Sequence, residues 1–133
     1  MRRGLSAFLS IMTFACCRTN LDYNAFERAS LADQMRMYDN EAQHGCISHP
    51  ATYLFLIAQN DSAADAAAEV LPPSRSTFPT SDAIEILSFV NARGIDLRQH
   101  VALRRLEELA RLSPDPAIRE QAGRVAREIV AHQ

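Results

Sequence analysis

Two imidazoles and a thiol stand within six residues of one another in His44-Gly45-Cys46-Ile47-Ser48-His49. Imidazole nitrogen and thiolate sulfur are good ligands for zinc or copper, and Asp39 or Glu41, on the preceding helical turn, offers a fourth donor. A metal-binding or redox centre on His44, Cys46 and His49 is therefore one functional reading, although the spacing matches no established ligand pattern. Each residue also has an ordinary structural role to fill. His44 falls at a helix end, where the dipole favours a cation, and His49 precedes Pro50 in a turn. Catalysis has less to build on. No serine lies in a G-x-S-x-G elbow or an S-x-x-K pattern. The glycines are isolated, so no phosphate-cradling loop exists. The chain has no lysine, which excludes Schiff-base and P-loop lysine chemistry. The carboxylate pairs Glu107-Glu108 and Asp61/Asp65 read as solvated helix faces or caps. Glu107–Arg111 and Glu120–Arg124 are i,i+4 pairs worth only a few tenths of a kcal/mol, about 0.2–0.5 each. The expectation is a protein that is not an enzyme and has no cofactor.

The start of the chain, MRRGLSAFLSIMTFACC, carries an address. Arg2 and Arg3 precede an apolar run from Leu5 to Ala15, interrupted by Ser6, Ser10 and Thr13. The run is shorter than the roughly 20 residues needed to span a bilayer and has the length of a secretory signal peptide. Thr13 and Ala15 are the small residues an ordinary signal peptidase requires, and cleavage would leave Cys16 first; retention as an uncleaved anchor is the third possibility. Ala15-Cys16 also resembles the lipobox of a small bacterial envelope lipoprotein, from which Thr13 and Phe14 depart. That resemblance implies lipidation of Cys16. Because Cys17 follows rather than aspartate, it also implies the periplasmic side of the outer membrane. Without lipidation the protein would be periplasmic or secreted. Either compartment is oxidising, so Cys17 and Cys46 are candidates for a disulfide, worth roughly 3–4 kcal/mol in the loop-entropy account. A buried free Cys46 is the alternative.

Removing residues 1–15 leaves 133 − 15 = 118 residues, the size of one domain. The same removal changes the charge from −2 to 12 − 16 = −4. An acidic chain gives no basis for nucleic-acid binding, which needs a basic surface. All basic residues are arginines; a GC-rich genome or a surface of Arg–carboxylate pairs would each account for that.

The elements that must position these groups read as helices. Residues 16–22 are a tether and 23–133 one helical domain. Within it, 23–71 hold the N-terminal helices, 72–80 (PPSRSTFPT) a proline-rich linker, and 81–133 the C-terminal helices. Asn24 to about His44 reads as one amphipathic helix stopped by Gly45. Ser48 is the expected N-cap ahead of Pro50, and Tyr53 to Ile57 an apolar helix, since no second strand-like run exists to pair with it. Ser62 to Leu71 is alanine-rich. Thr80 or Ser81 is the expected cap of a central helix carrying Ile84, Ile86, Leu87, Phe89 and Val90, and Asp96 that of the next. Phe78 in the linker has no obvious core register. The fold class is all-α, with five or six short helices in an irregular bundle.

LEELARLSPDPAIREQAGRVAREI, within residues 97–130, resembles the inter-helix segment of a HEAT-like repeat. The features shared are a leucine-rich helix, Asp115-Pro116, then Ile118-Arg119 and Ala122. The resemblance implies a C-terminal helical hairpin in which Asp115 and Arg119 fix the turn and Ala122 permits close helix packing. In size, leader and helix content the chain is similar to pilotin-type lipoproteins that escort a secretion-channel subunit. An acidic immunity protein that neutralises a toxin fits equally. The functional expectation is an exported, lipid-tethered helical protein that binds a protein partner in the cell envelope.

Overall fold

The first apolar run does not continue as one helix to His44. The backbone is extended at Ala29 and Ser30, and the Ser30 hydroxyl accepts from the Asp33 N–H at 3.2 Å, so a new helix starts there. Serine competes for backbone partners in this way, which makes it a good helix start and a poor helix interior. At the break the Phe26 carbonyl accepts from the Ala29 N–H at 3.1 Å and gains a second donor. Gln34, buried on the second helix, donates to it at 2.9 Å and accepts from Asn60 at 2.8 Å. The division accounts for a count above five or six. The computed structural model describes residues 21–45 and 47–132. Among these it holds seven helices and no strand: α1 Tyr23–Arg28, α2 Leu31–Gln43, α3 Pro50–Ala58, α4 Ala63–Val70, α5 Thr80–Ala92, α6 Val101–Leu112 and α7 Pro116–Val130. The leader 1–15, Cys16, Cys17 and Cys46 lie outside the described residues, as does the tether up to residue 20.

Helix starts differ in detail from expectation. His49, not Ser48, is the N-cap of α3, in a left-handed conformation (φ 55°) and with no side-chain cap bond. Pro79 occupies that place for α5. His100, not Asp96, caps α6. Its Nδ1 accepts from the Ala102 N–H at 3.0 Å, which puts the ring proton on Nε2, 2.6 Å from the Asp65 carboxylate. Asp96 instead accepts from the Arg98 backbone and guanidinium within its own turn, and this holds its carboxyl well below the usual carboxylate range.

The core is centred on α5, where Ala83, Ile84, Ile86, Leu87 and Val90 are buried. On α4 the buried face is made of Ala63, Ala64, Ala67 and Ala68, small enough to let α5 approach closely. Helices α3, α5 and α7 lie side by side in the same sense. Arg93 at the end of α5 donates to Ala58 O at the end of α3, at 2.6 Å. Gln121 donates to Ser81 O near the starts of α7 and α5, and Ser88 to Glu128 further along. Helices α4 and α6 run alongside each other beneath this layer, tied by His100–Asp65. No described helix is long and apolar enough to cross a membrane.

Residues 72–79 form no helix, but they are not a free linker. Phe78 is buried, its ring centroid 5.4 Å from that of Tyr38 on α2. The Tyr38 hydroxyl donates to the Asp82 carboxylate at 2.8 Å, and Asp39 on the same helix accepts from the Thr77 hydroxyl at 2.6 Å. Burial pushes the Asp82 carboxyl above its ordinary range, with the Tyr38 hydrogen bond opposing it in part. Burial, then the carboxylate beside it, drives the Tyr38 phenol far up. Tyr38→Phe should cost about 1–3 kcal/mol in urea unfolding, because a half-buried carboxylate loses its donor. The raised Asp82 pKa means that ionising it penalises the folded state. That penalty is absent below the aspartate range and sets in as the pH rises through it. Asp82→Asn, measured against the parent chain, should therefore gain relative stability as the pH is raised through that range.

Candidate functional site

The residues singled out for chemistry fall in two places. His44 is the C-cap of α2, followed by Gly45 at φ 67°, the left-handed conformation that glycine adopts most readily after a helix end. His49 opens α3 across the short connection from there. Their expected companion Cys46 lies outside the described residues. Among the described residues no group of three His, Cys, Asp or Glu side chains could hold a metal ion. Asp39 is committed elsewhere, accepting from Thr77 and from Gln43 at 3.0 Å.

The second place is the α6–α7 turn, residues 113–115. Asp115 caps α7, its carboxylate accepting from the Ala117 N–H at 2.9 Å, with Pro116 at the first helical position. The Arg119 guanidinium reaches back to Ser113 O at 2.7 Å, which fastens the turn to the helix it starts. Ala122 is fully buried one turn further on. The i,i+4 ion pair formed on α7 is Arg124–Glu128 at 2.8 Å rather than Glu120–Arg124.

This pinned turn is one wall of a groove of about 680 Å³. Pro72, Pro73 and Pro79 of the proline-rich loop form the opposite wall. Leu109, Leu112 and Ile118 are its large apolar lining residues, and Glu108 and Asp115 its carboxylates. Leu112 is 62% exposed, a large apolar side chain held in water at the end of α6. Prolines fix the backbone and have no N–H to offer, so their wall is rigid and apolar. The arrangement suits reversible docking of an apolar segment, with carboxylates placed to meet basic flanks.

The groove was not foreseeable as a unit, because its walls come from two loops far apart in the chain. Its only sequence signal is that prolines cluster in both, at 72–79 and at 114–116. Compared with models of known protein families, with curated proteins and with solved structures, the chain matches none.

Metal analysis of the purified chain beside a His44→Ala/His49→Ala variant should give equal and negligible zinc and copper. Stoichiometric metal in the parent that is lost in the variant would establish the histidine pair as ligands.

Proposed function

We propose that the chain is a non-enzymatic, exported protein, tethered by lipid at Cys16, that works by holding a segment of another cell-envelope protein. The observation that carries the reading is the groove between the proline-rich loop and the α6–α7 turn, lined by Leu109, Ile118 and the exposed Leu112. Contiguous apolar surface of this kind is what a partner segment would cover. The lining carboxylates, Glu108 and Asp115, and the mature charge of 12 − 16 = −4 favour a basic partner segment through steering. An assembly aid of the pilotin type and a toxin-neutralising immunity protein both work in this manner. The parallel arrangement of α3, α5 and α7 supports reading residues 97–130 as a HEAT-like hairpin stacked on the helices before it, a scaffold type that binds partners along its edges.

Two measurements test this. Cys16→Ser should abolish lipid labelling and shift the protein from the membrane to the soluble fraction; unchanged membrane association counts against the tether. A photo-crosslinking residue placed at Leu112 in the full chain should give a discrete adduct with one envelope protein, and Leu112→Arg should abolish function in the host. Crosslinks no different from those of the same probe at exposed Arg104 would overturn the groove assignment.

A further inference from the structure

We propose that the outer ridge of α3 rests on the lipid bilayer, so that the tethered domain lies on the membrane in one orientation. This rests on the lipid-tether reading of Cys16. Pro50–Ala58 contains no charged side chain. Its exposed positions are Pro50, Ala51, Thr52 and Phe55, with Gln59 following at the C-cap, and Phe55 is 50% exposed. Phe55 packs edge-on against Phe89 of α5 with centroids 5.7 Å apart, Phe89 itself being partly buried against the core. On the other flank Tyr53 is 6.5 Å from Tyr23, itself 43% exposed. Charge borders this ridge rather than crossing it. Glu85 lies one turn before Phe89, Asp22 and Glu27 stand exposed beside Tyr23, and Arg93 is taken up by Ala58 O and by Asp61, itself fully exposed at the far end of α3. The outer faces of α2, α6 and α7, by contrast, carry mixed Arg and carboxylate side chains.

The start of the described chain is fastened to the same helix, on the side where Tyr53 packs against Phe26 rather than the side of Phe55. The Tyr53 hydroxyl donates to Leu21 O at 3.1 Å. Cys16 lies 21 − 16 = 5 residues earlier, and five extended residues reach at most about 18 Å. A lipid on Cys16 therefore holds α3 within reach of the headgroups whatever path the tether takes. Held so near, even a weak contact is populated, because the second encounter is intramolecular. Phenylalanine and tyrosine rings gain by entering the interface, whereas the carboxylate-bearing faces of an acidic domain are repelled by anionic headgroups.

The chain has no tryptophan, so Phe55→Trp supplies a single fluorescent reporter in the full-length, lipidated protein. Thr52→Trp is a second reporter on the ridge, and Val130→Trp, on an exposed position of α7, is the control. Each is reconstituted in phosphatidylethanolamine–phosphatidylglycerol vesicles with and without brominated acyl chains. Emission at the two ridge positions should shift to the blue and be quenched about twofold by the brominated lipid, with the control little changed. Mass spectrometry of the N-terminal peptide in the same samples reads the lipid. A lipidated chain whose ridge tryptophans are quenched no more than the control overturns the ridge assignment alone. A blue shift that depends on protein concentration and is blind to bromine also overturns it, because a second copy then covers the ridge. An unlipidated peptide overturns the tether, and the proposal with it.

Discussion

Helix α5 cannot stand in water by itself. Its buried residues Ala83, Ile84, Ile86, Leu87 and Val90 span an arc of about 160° at 100° per residue, wider than one neighbour can cover. The fold follows from that requirement. Helices α3 and α7 close on its flanks, and α4 comes in beneath. The alanine face of α4 is what makes the third contact possible, since larger side chains there would hold the two helices apart. Burial of this kind, at about 25 cal/mol per Å² of apolar surface, is the main term that offsets chain entropy in a domain this small.

Polar groups then decide how the outer pieces attach to that centre. At the α1–α2 corner the Phe26 carbonyl, already accepting from the Ala29 N–H, takes a second bond from Gln34, whose own oxygen accepts from Asn60. The Tyr38–Asp82 hydrogen bond and the Phe78 ring fasten α2 to the start of α5. No buried side-chain donor or acceptor among the described residues lacks a partner. Each of these side-chain contacts joins residues of different elements, so they specify which helix meets which, whereas the apolar stripes specify only that burial occurs.

The helical class and most boundaries were legible because glycine and proline act locally. Gly45, Gly94, the 72–79 loop and the 113–115 turn all end helices for reasons contained in a few residues. The break at Ala29–Ser30 was not legible. Nothing there forbids a helix, and the second donor to the Phe26 carbonyl, Gln34, arrives only through tertiary packing. The caps at His49 and His100 were missed for a related reason, since Ser48 and Asp96 are better caps in isolation but lie too far from the observed starts. Phe78 was misjudged because a ring in a proline-rich stretch has no periodicity to give it a face. The groove lay beyond sequence reading altogether, being a relation between two loops rather than a property of either.

That relation has a mechanical side. The proline wall follows α4, and the Ser113–Asp115 wall follows α6, so each hangs from a different helix. The gap between them is therefore set where α4 meets α6 and α5 meets α7. A small shift at either contact would widen or narrow the gap as a caliper does. Substitutions deep in the α5–α7 contact would be felt at the groove without touching anything bound in it.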